Sequence, residues 1–140
     1  MAEFISKSPA QTEKFGSELG KTLKIGDAVA IFGDMGAGKT VFVRGLASGM
    51  GLKAFVSSPT FALVHEYPGN PPLFHFDMYR INSWDDLYST GFFDYMDTGG
   101  VIAVEWSENI EAALPENSIK VIIMQGKSLN ERRIVITEDN

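Results

Sequence analysis

Apolar positions first recur at helical spacing in "SPAQTEKFGSELGKTL", where Phe15, Leu19 and Leu23 share one face. Ser8 is placed to cap that helix, Pro9 suits its first turn, and "KIGD" ends it. The next apolar run, "AVAIFG", shows no alternation, as expected of a strand buried on both faces, and it leads straight into a glycine-rich turn. A helix is predicted from about Gly38 to Met50. Beyond it, "GLKAFVSSPTFALVHEYPGNPPLFHFDMYRI" predicts a short strand, a Ser/Pro/Thr loop and two strands around "PGNPP". "SWDDLYSTGFFDYM" reads as a helix capped at Ser83, "GVIAVEW" as another buried strand and "SENIEAAL" as another capped helix. "SIKVIIMQG" and "ERRIVITE" form a terminal hairpin. Strands alternate with helices over the first two thirds and then cluster, which predicts an α/β fold: a mixed sheet with helices on both faces and a C-terminal β-hairpin. No repeat or linker interrupts this pattern, so the 140 residues are expected to form a single domain, 1–140.

Composition narrows the chemistry. With no cysteine, disulfides, thiolate zinc sites and cysteine nucleophiles are all excluded, and any metal must take oxygen ligands. The formal charge of −6 argues against a protein that grips nucleic acid unaided, because that affinity comes from Lys and Arg meeting phosphates. "MAEFISKSPAQ" lacks a basic segment followed by a continuous apolar one, and no apolar run is long enough to span a bilayer. The expectation is a cytoplasmic protein with no membrane role.

The turn after "AVAIF" carries the sharpest signal. Gly33 to Thr40, "GDMGAGKT", fits G-x-x-x-x-G-K-[ST] in its proper setting between a buried strand and a helix, which predicts a P-loop NTPase fold. Small residues at Gly33, Gly36, Ala37 and Gly38 let successive backbone N–H groups turn toward phosphate oxygens. Lys39 would bridge the β and γ phosphates, and Thr40 would offer its hydroxyl to Mg²⁺. Such a site needs an acid at the end of a neighbouring buried strand. "LFHFD" ends in Asp77 and "VIAVE" in Glu105, and either could hold the metal or orient the attacking water. Thr60, in "SPTF", lies where a γ-phosphate-sensing segment is often found, although a plain turn fixed by Pro59 fits equally well. His75 stands two residues before Asp77, so that both side chains share a strand face; it reads as a partly buried structural histidine ahead of a carboxylate-orienting one. Arg80 fits pairing with nearby acids better than neutralising transition-state charge. Trp106 fits the core better than a cover over the nucleotide or a partner contact.

Taken together, "SPAQT", "GDMGAGKT", "SPTF", "HFDMYR", "VEW" and the "LP" before the terminal strands resemble the TsaE (formerly YjeE) family over nearly the whole chain. The ordered set is far more specific than the P-loop alone, and Met35 departs from the leucine common there. The resemblance implies a Mg²⁺-dependent ATPase that binds the TsaB and TsaD proteins. Its ATP hydrolysis would support threonylcarbamoyl modification of the adenosine next to the anticodon in tRNA, with tRNA met only through the complex. It implies that Met35, Gly36, Ala37, Gly38, Lys39 and Thr40 hold the phosphates, with Thr40, Asp77 and Glu105 around the metal and Thr60 in a switch. It also implies that Thr12 and one of Arg132 and Arg133 lie near the base. Catalysis would rest on Lys39, Asp77 and Glu105 by positioning and electrostatics. Two other readings fit a P-loop: a small kinase, which needs an acceptor pocket and a lid, and a nucleotide-gated assembly module in which binding outweighs turnover. A GTPase fits less well, since no N-K-x-D element is present.

Overall fold

The computed structural model describes residues 2–33, 38–52 and 64–138. The strands are β1 (Ala2–Ser6), β2 (Ala28–Phe32), β3 (Val64–Tyr67), β4 (Leu73–Asp77), β5 (Val101–Glu105), β6 (Ile119–Gln125) and β7 (Arg132–Thr137). The helices are α1 (Pro9–Gly20), α2 (Lys39–Gly49), α3 (Trp84–Ser89) and α4 (Phe92–Met96), with a short 3₁₀ helix over Ser107–Ala113. Among the described residues no helix is long and apolar enough to cross a membrane.

The strands form one mixed sheet in the order β1-β7-β6-β2-β5-β4-β3. The central strands β6, β2, β5 and β4 run parallel, while β3, β7 and β1 join antiparallel at the flanks. The apolar runs "AVAIF" and "VIAVE" occupy the middle, where both faces are covered and alternation would leave a polar group without water. On one face, Val29, Ile31 and Ala103 pack against Phe42, Val43 and Leu46 of α2 and Leu19 of α1. On the other, Phe74, Phe76, Ile102 and Val104 pack against Leu87, Phe92 and Ile110. The C-terminal hairpin is present as β6 and β7.

Helix α1 starts as its sequence predicts, with the Ser8 side chain accepting from the Gln11 amide and proline in the first turn. It meets α2 along two rows of small residues. A Cβ at Gly16 or Gly20 would run into the carbonyls of Phe42 or Leu46, and one at Gly45 or Gly49 into those of Glu13 or Ser17. The backbones therefore touch directly, which ties the start of α1 to the start of α2.

Three sequence expectations are corrected. The predicted helix over "SWDDLYSTGFFDYM" is two short ones, because Gly91 takes φ +79 and ends the first. "SENIEAAL" is 3₁₀ with no side-chain cap, since Ser107 donates its hydroxyl to the Val104 carbonyl. Strand β1, unforeseen in the sequence, pairs with β7 from Ala2↔Ile136 to Ser6↔Arg132. The strand expected just after Leu52 lies outside the described residues.

Candidate nucleotide and metal site

The carboxyl ends of β2, β4 and β5 converge, which is where parallel α/β sheets form their binding crevice. Gly33 follows β2, and Asp77 and Glu105 end adjacent strands in direct register. Alternation places Leu73, His75 and Asp77 on the α2 side of β4, and Ala103 and Glu105 on the same side of β5. The main chain enters α2 through Gly38, whose φ of +102 suits glycine and strains any other residue.

Helix α2 then delivers two side chains. The Lys39 ammonium donates to the Gly33 carbonyl at 2.5 Å and lies 3.4 Å from the centroid of the Trp106 ring. The Thr40 hydroxyl reaches both Glu105 oxygens, at 3.2 Å to Oε1 and 3.0 Å to Oε2. Glu105 is 5% exposed, and its Oε2 also lies 2.5 Å from His75 Nε2. Against a carboxylate that nitrogen must carry the proton and donate it. Burial pushes the Glu105 carboxyl up, but the His75 and Thr40 hydrogen bonds and the charges of His75 and Lys39 outweigh it. The group is held below the ordinary glutamate value of 4.5. It is therefore an anion at neutral pH, buried yet fully partnered.

Asp77 is more open than Glu105 and accepts from the Tyr79 amide at 3.0 Å. His75 reaches across to Glu105 rather than orienting Asp77, because the β4–β5 register sets the glutamate one diagonal step away. Trp106 sits at φ +59, an unfavourable conformation for tryptophan costing roughly 1–3 kcal/mol. That geometry lays its ring over Lys39 and beside Tyr79 at the edge of the second core cluster. Glu108, not singled out in the sequence, accepts from the Gly33 amide at 3.1 Å and braces the start of the turn.

A second recess opens at the other end of α2's first turn. Ser8, Pro9, Thr12, Gly38, Val41, Asn130 and Arg132 line a cavity of about 180 Å³. Thr12 is 2% exposed and its hydroxyl shares a 2.6 Å hydrogen bond with Ser6, leaving its methyl group toward Gly38. Arg132 is anchored by the carbonyls of Leu129 and Glu131. Arg133 points elsewhere and clasps Glu3 with two hydrogen bonds of 2.6 and 3.0 Å. Thr12, Gly38 and Arg132 thus come together, as do Lys39, Thr40, Glu105 and Trp106. Met35, Gly36, Ala37 and Thr60 lie outside the described residues.

Among the described residues no three His, Asp or Glu side chains cluster as a ready-made metal site. The convergent Thr40 hydroxyl and Glu105 carboxylate are nonetheless the hard oxygen donors that Mg²⁺ takes when phosphates and water complete its shell.

Comparison with known proteins agrees with this fold. The family model "Threonylcarbamoyl adenosine biosynthesis protein TsaE" matches residues 6–134. Among similar proteins, the tRNA threonylcarbamoyladenosine biosynthesis protein TsaE of Treponema pallidum is 37% identical over 117 residues, covering 84% of this chain and 87% of its own. The protein of the same name from Bacillus subtilis is 37% identical over 131 residues, covering 93% of this chain and 81% of its own. The crystal structure of Bacillus subtilis YdiB superposes with a TM-score of 0.79 at 31% identity, covering 99% of this chain and 86% of that one. The family model spanning residues 6–134, with relatives 37% identical over most of both chains, identifies this protein as a member of the TsaE family.

Proposed function

We propose that this chain is a Mg²⁺-dependent ATPase that supports threonylcarbamoyl modification of tRNA adenosine, working with TsaB and TsaD proteins and meeting tRNA only through them. The observation that carries the ATPase reading is the hydrogen bonding of Thr40, in the first turn of α2, to the buried Glu105 carboxylate beside Lys39. A hydroxyl and an anionic carboxylate held together next to an ammonium are what a triphosphate and its cation require. The role in tRNA modification is supported by the names of the relatives.

In this reading the backbone turn from Gly33 to Gly38 cradles the phosphates. Lys39 leaves the Gly33 carbonyl to meet the β and γ oxygens. Thr40 and Glu105 hold Mg²⁺ directly or through water, and the metal, when bound, neutralises charge on the phosphate oxygens. Asp77, more open and fixed by the Tyr79 amide, is left to the outer shell or to orienting the attacking water. The recess of Thr12, Gly38 and Arg132 takes the base side of the nucleotide. Transition-state stabilisation is electrostatic, and the switch segment around Thr60 completes it when partners dock.

The test is steady-state ATP hydrolysis by the purified chain, with Mg²⁺ or with EDTA, alone and with TsaB and TsaD proteins. Slow Mg²⁺-dependent release of phosphate to water, accelerated by the partners, is expected. Lys39→Ala should weaken ATP binding, whereas Glu105→Ala should spare binding more than hydrolysis. Equal rates with and without partners would remove the coupling. Full tRNA modification by Glu105→Ala would favour a nucleotide-gated assembly role over turnover.

A further inference from the structure

We propose that His75 is the positioning residue for Glu105: its Nε2–H fixes Oε2 so that the carboxylate keeps its aim when the Thr40 hydroxyl turns from the glutamate to the cation. The inference rests on the ATPase reading above and adds to it a residue outside the loop and the two strand-end acids.

Glu105 Oε2 receives two hydrogen bonds, from Thr40 at 3.0 Å and His75 at 2.5 Å, while the longer Thr40 contact of 3.2 Å reaches Oε1. These two partners are not equivalent. Thr40 stands in the first helical turn beside the phosphate loop, and its oxygen is the one a bound cation would draw upon. His75 stands within a regular strand, where the ladder from Leu73↔Val101 to Asp77↔Glu105 locks its height relative to the glutamate. Losing the Thr40 bond would leave a buried carboxylate free to rotate if no second donor held it. A carboxylate at 5% exposure has little water to replace the lost donor.

The choice of residue type supports a directional role. His75 is itself 5% exposed, between Phe74 and Phe76 in a strand whose other buried positions, Leu73, Phe74 and Phe76, are apolar. An aliphatic residue would pack there without the cost of burying an imidazole. The imidazole instead spends its Nε2–H on one oxygen of one carboxylate, from a rigid element rather than a loop, which is how a ligand's orientation is set by the residues behind it.

The test uses the full chain with its TsaB and TsaD partners and compares His75→Leu, which removes the donor, with His75→Gln, whose amide nitrogen restores an N–H at similar reach. Measured are kcat and KM for ATP, the Mg²⁺ concentration giving half-maximal rate, and thermal melting. His75→Leu is expected to lower kcat or Mg²⁺ affinity by about 10- to 100-fold, with KM for ATP moving far less. His75→Gln is expected to recover most of the loss, and His75→Leu placed in Glu105→Ala is expected to cost nothing further. If His75→Leu does not fold, the Gln variant and its combination with Glu105→Ala decide the matter, since Gln must then sustain Mg²⁺-dependent turnover that vanishes with Glu105. Wild-type kcat together with wild-type Mg²⁺ affinity in His75→Leu, a loss in both variants that only tracks melting temperature, or losses that multiply with Glu105→Ala would overturn the proposal while leaving the ATPase reading intact. Absence of hydrolysis by the wild-type chain with its partners would instead overturn the ATPase reading and this proposal with it.

Discussion

Two adjacent arginines on β7 have opposite fates, because neighbouring residues of a strand face opposite sides of the sheet. Arg132 joins the recess of Thr12 and Gly38, whereas Arg133 is occupied by Glu3 on the exposed surface. Arg132→Ala is therefore expected to weaken ATP binding several-fold, with Arg133→Ala close to wild type; calorimetric titration with Mg²⁺–ATP checks both. The reverse order would place the base elsewhere. Sequence alone left the two open because the pair differ only in strand phase, which the β6–β7 register decides. The same limit explains His75. Its two-residue spacing from Asp77 was visible, but its partner is Glu105, supplied by the neighbouring strand. The placing of Lys39 and Thr40 at the start of α2 was legible because the glycine–lysine–threonine spacing between a buried strand and a helix is a local motif. Trp106 packs at the edge of the core as its sequence suggests, but its contact with Lys39 was not legible because the left-handed backbone that turns its ring there has no signature in the letters around it.

At the scale of elements, α1 and α2 act as one unit. Their glycines, four apart on each helix, let the backbones meet with no side chain between them. A methyl group there strikes carbonyl groups that cannot swing aside. Gly45→Ala is expected to destabilise the protein by roughly 1–3 kcal/mol, seen as a fall in Tm of roughly 5–15 °C. Gly51→Ala tests a different effect, since it adds strain at φ +78 with nothing nearby to strike. If Gly45→Ala melts like wild type, the close approach is not what holds the helices. Helix starts were legible where a side chain caps them, as at Ser8 and Ser83. The helical segment from Ser107 was legible too, but neither its 3₁₀ form nor its missing cap was, since Ser107 found a buried carbonyl instead. The edge strand β1 was invisible because its partner lies more than a hundred residues away and its own pattern is short and mixed.

Across the whole molecule, charge is unevenly spread. Residues 81–119, which include α3, α4 and the 3₁₀ helix, contain no Lys or Arg, so all 12 bases lie outside them. A chain with net charge −6 and one wholly acidic segment repels a polyanion over much of its surface. Without TsaB and TsaD it is expected to retain no tRNA at near-physiological salt up to about 10 μM protein, read by filter binding or mobility shift. Sub-micromolar retention by the isolated chain would mean that it recognises tRNA directly.

The pairing of β1 with β7 also sets an order in time. As the chain leaves the ribosome, β1 emerges more than a hundred residues ahead of β7, its partner in the sheet. Closing that contact joins segments far apart along the chain, the slowest kind of contact to form. Ser6, which holds the Thr12 hydroxyl, and Arg132 sit face to face in that ladder. Helix α2 and its contact with Glu105 can therefore be assembled while one wall of the neighbouring recess is still waiting for its other half.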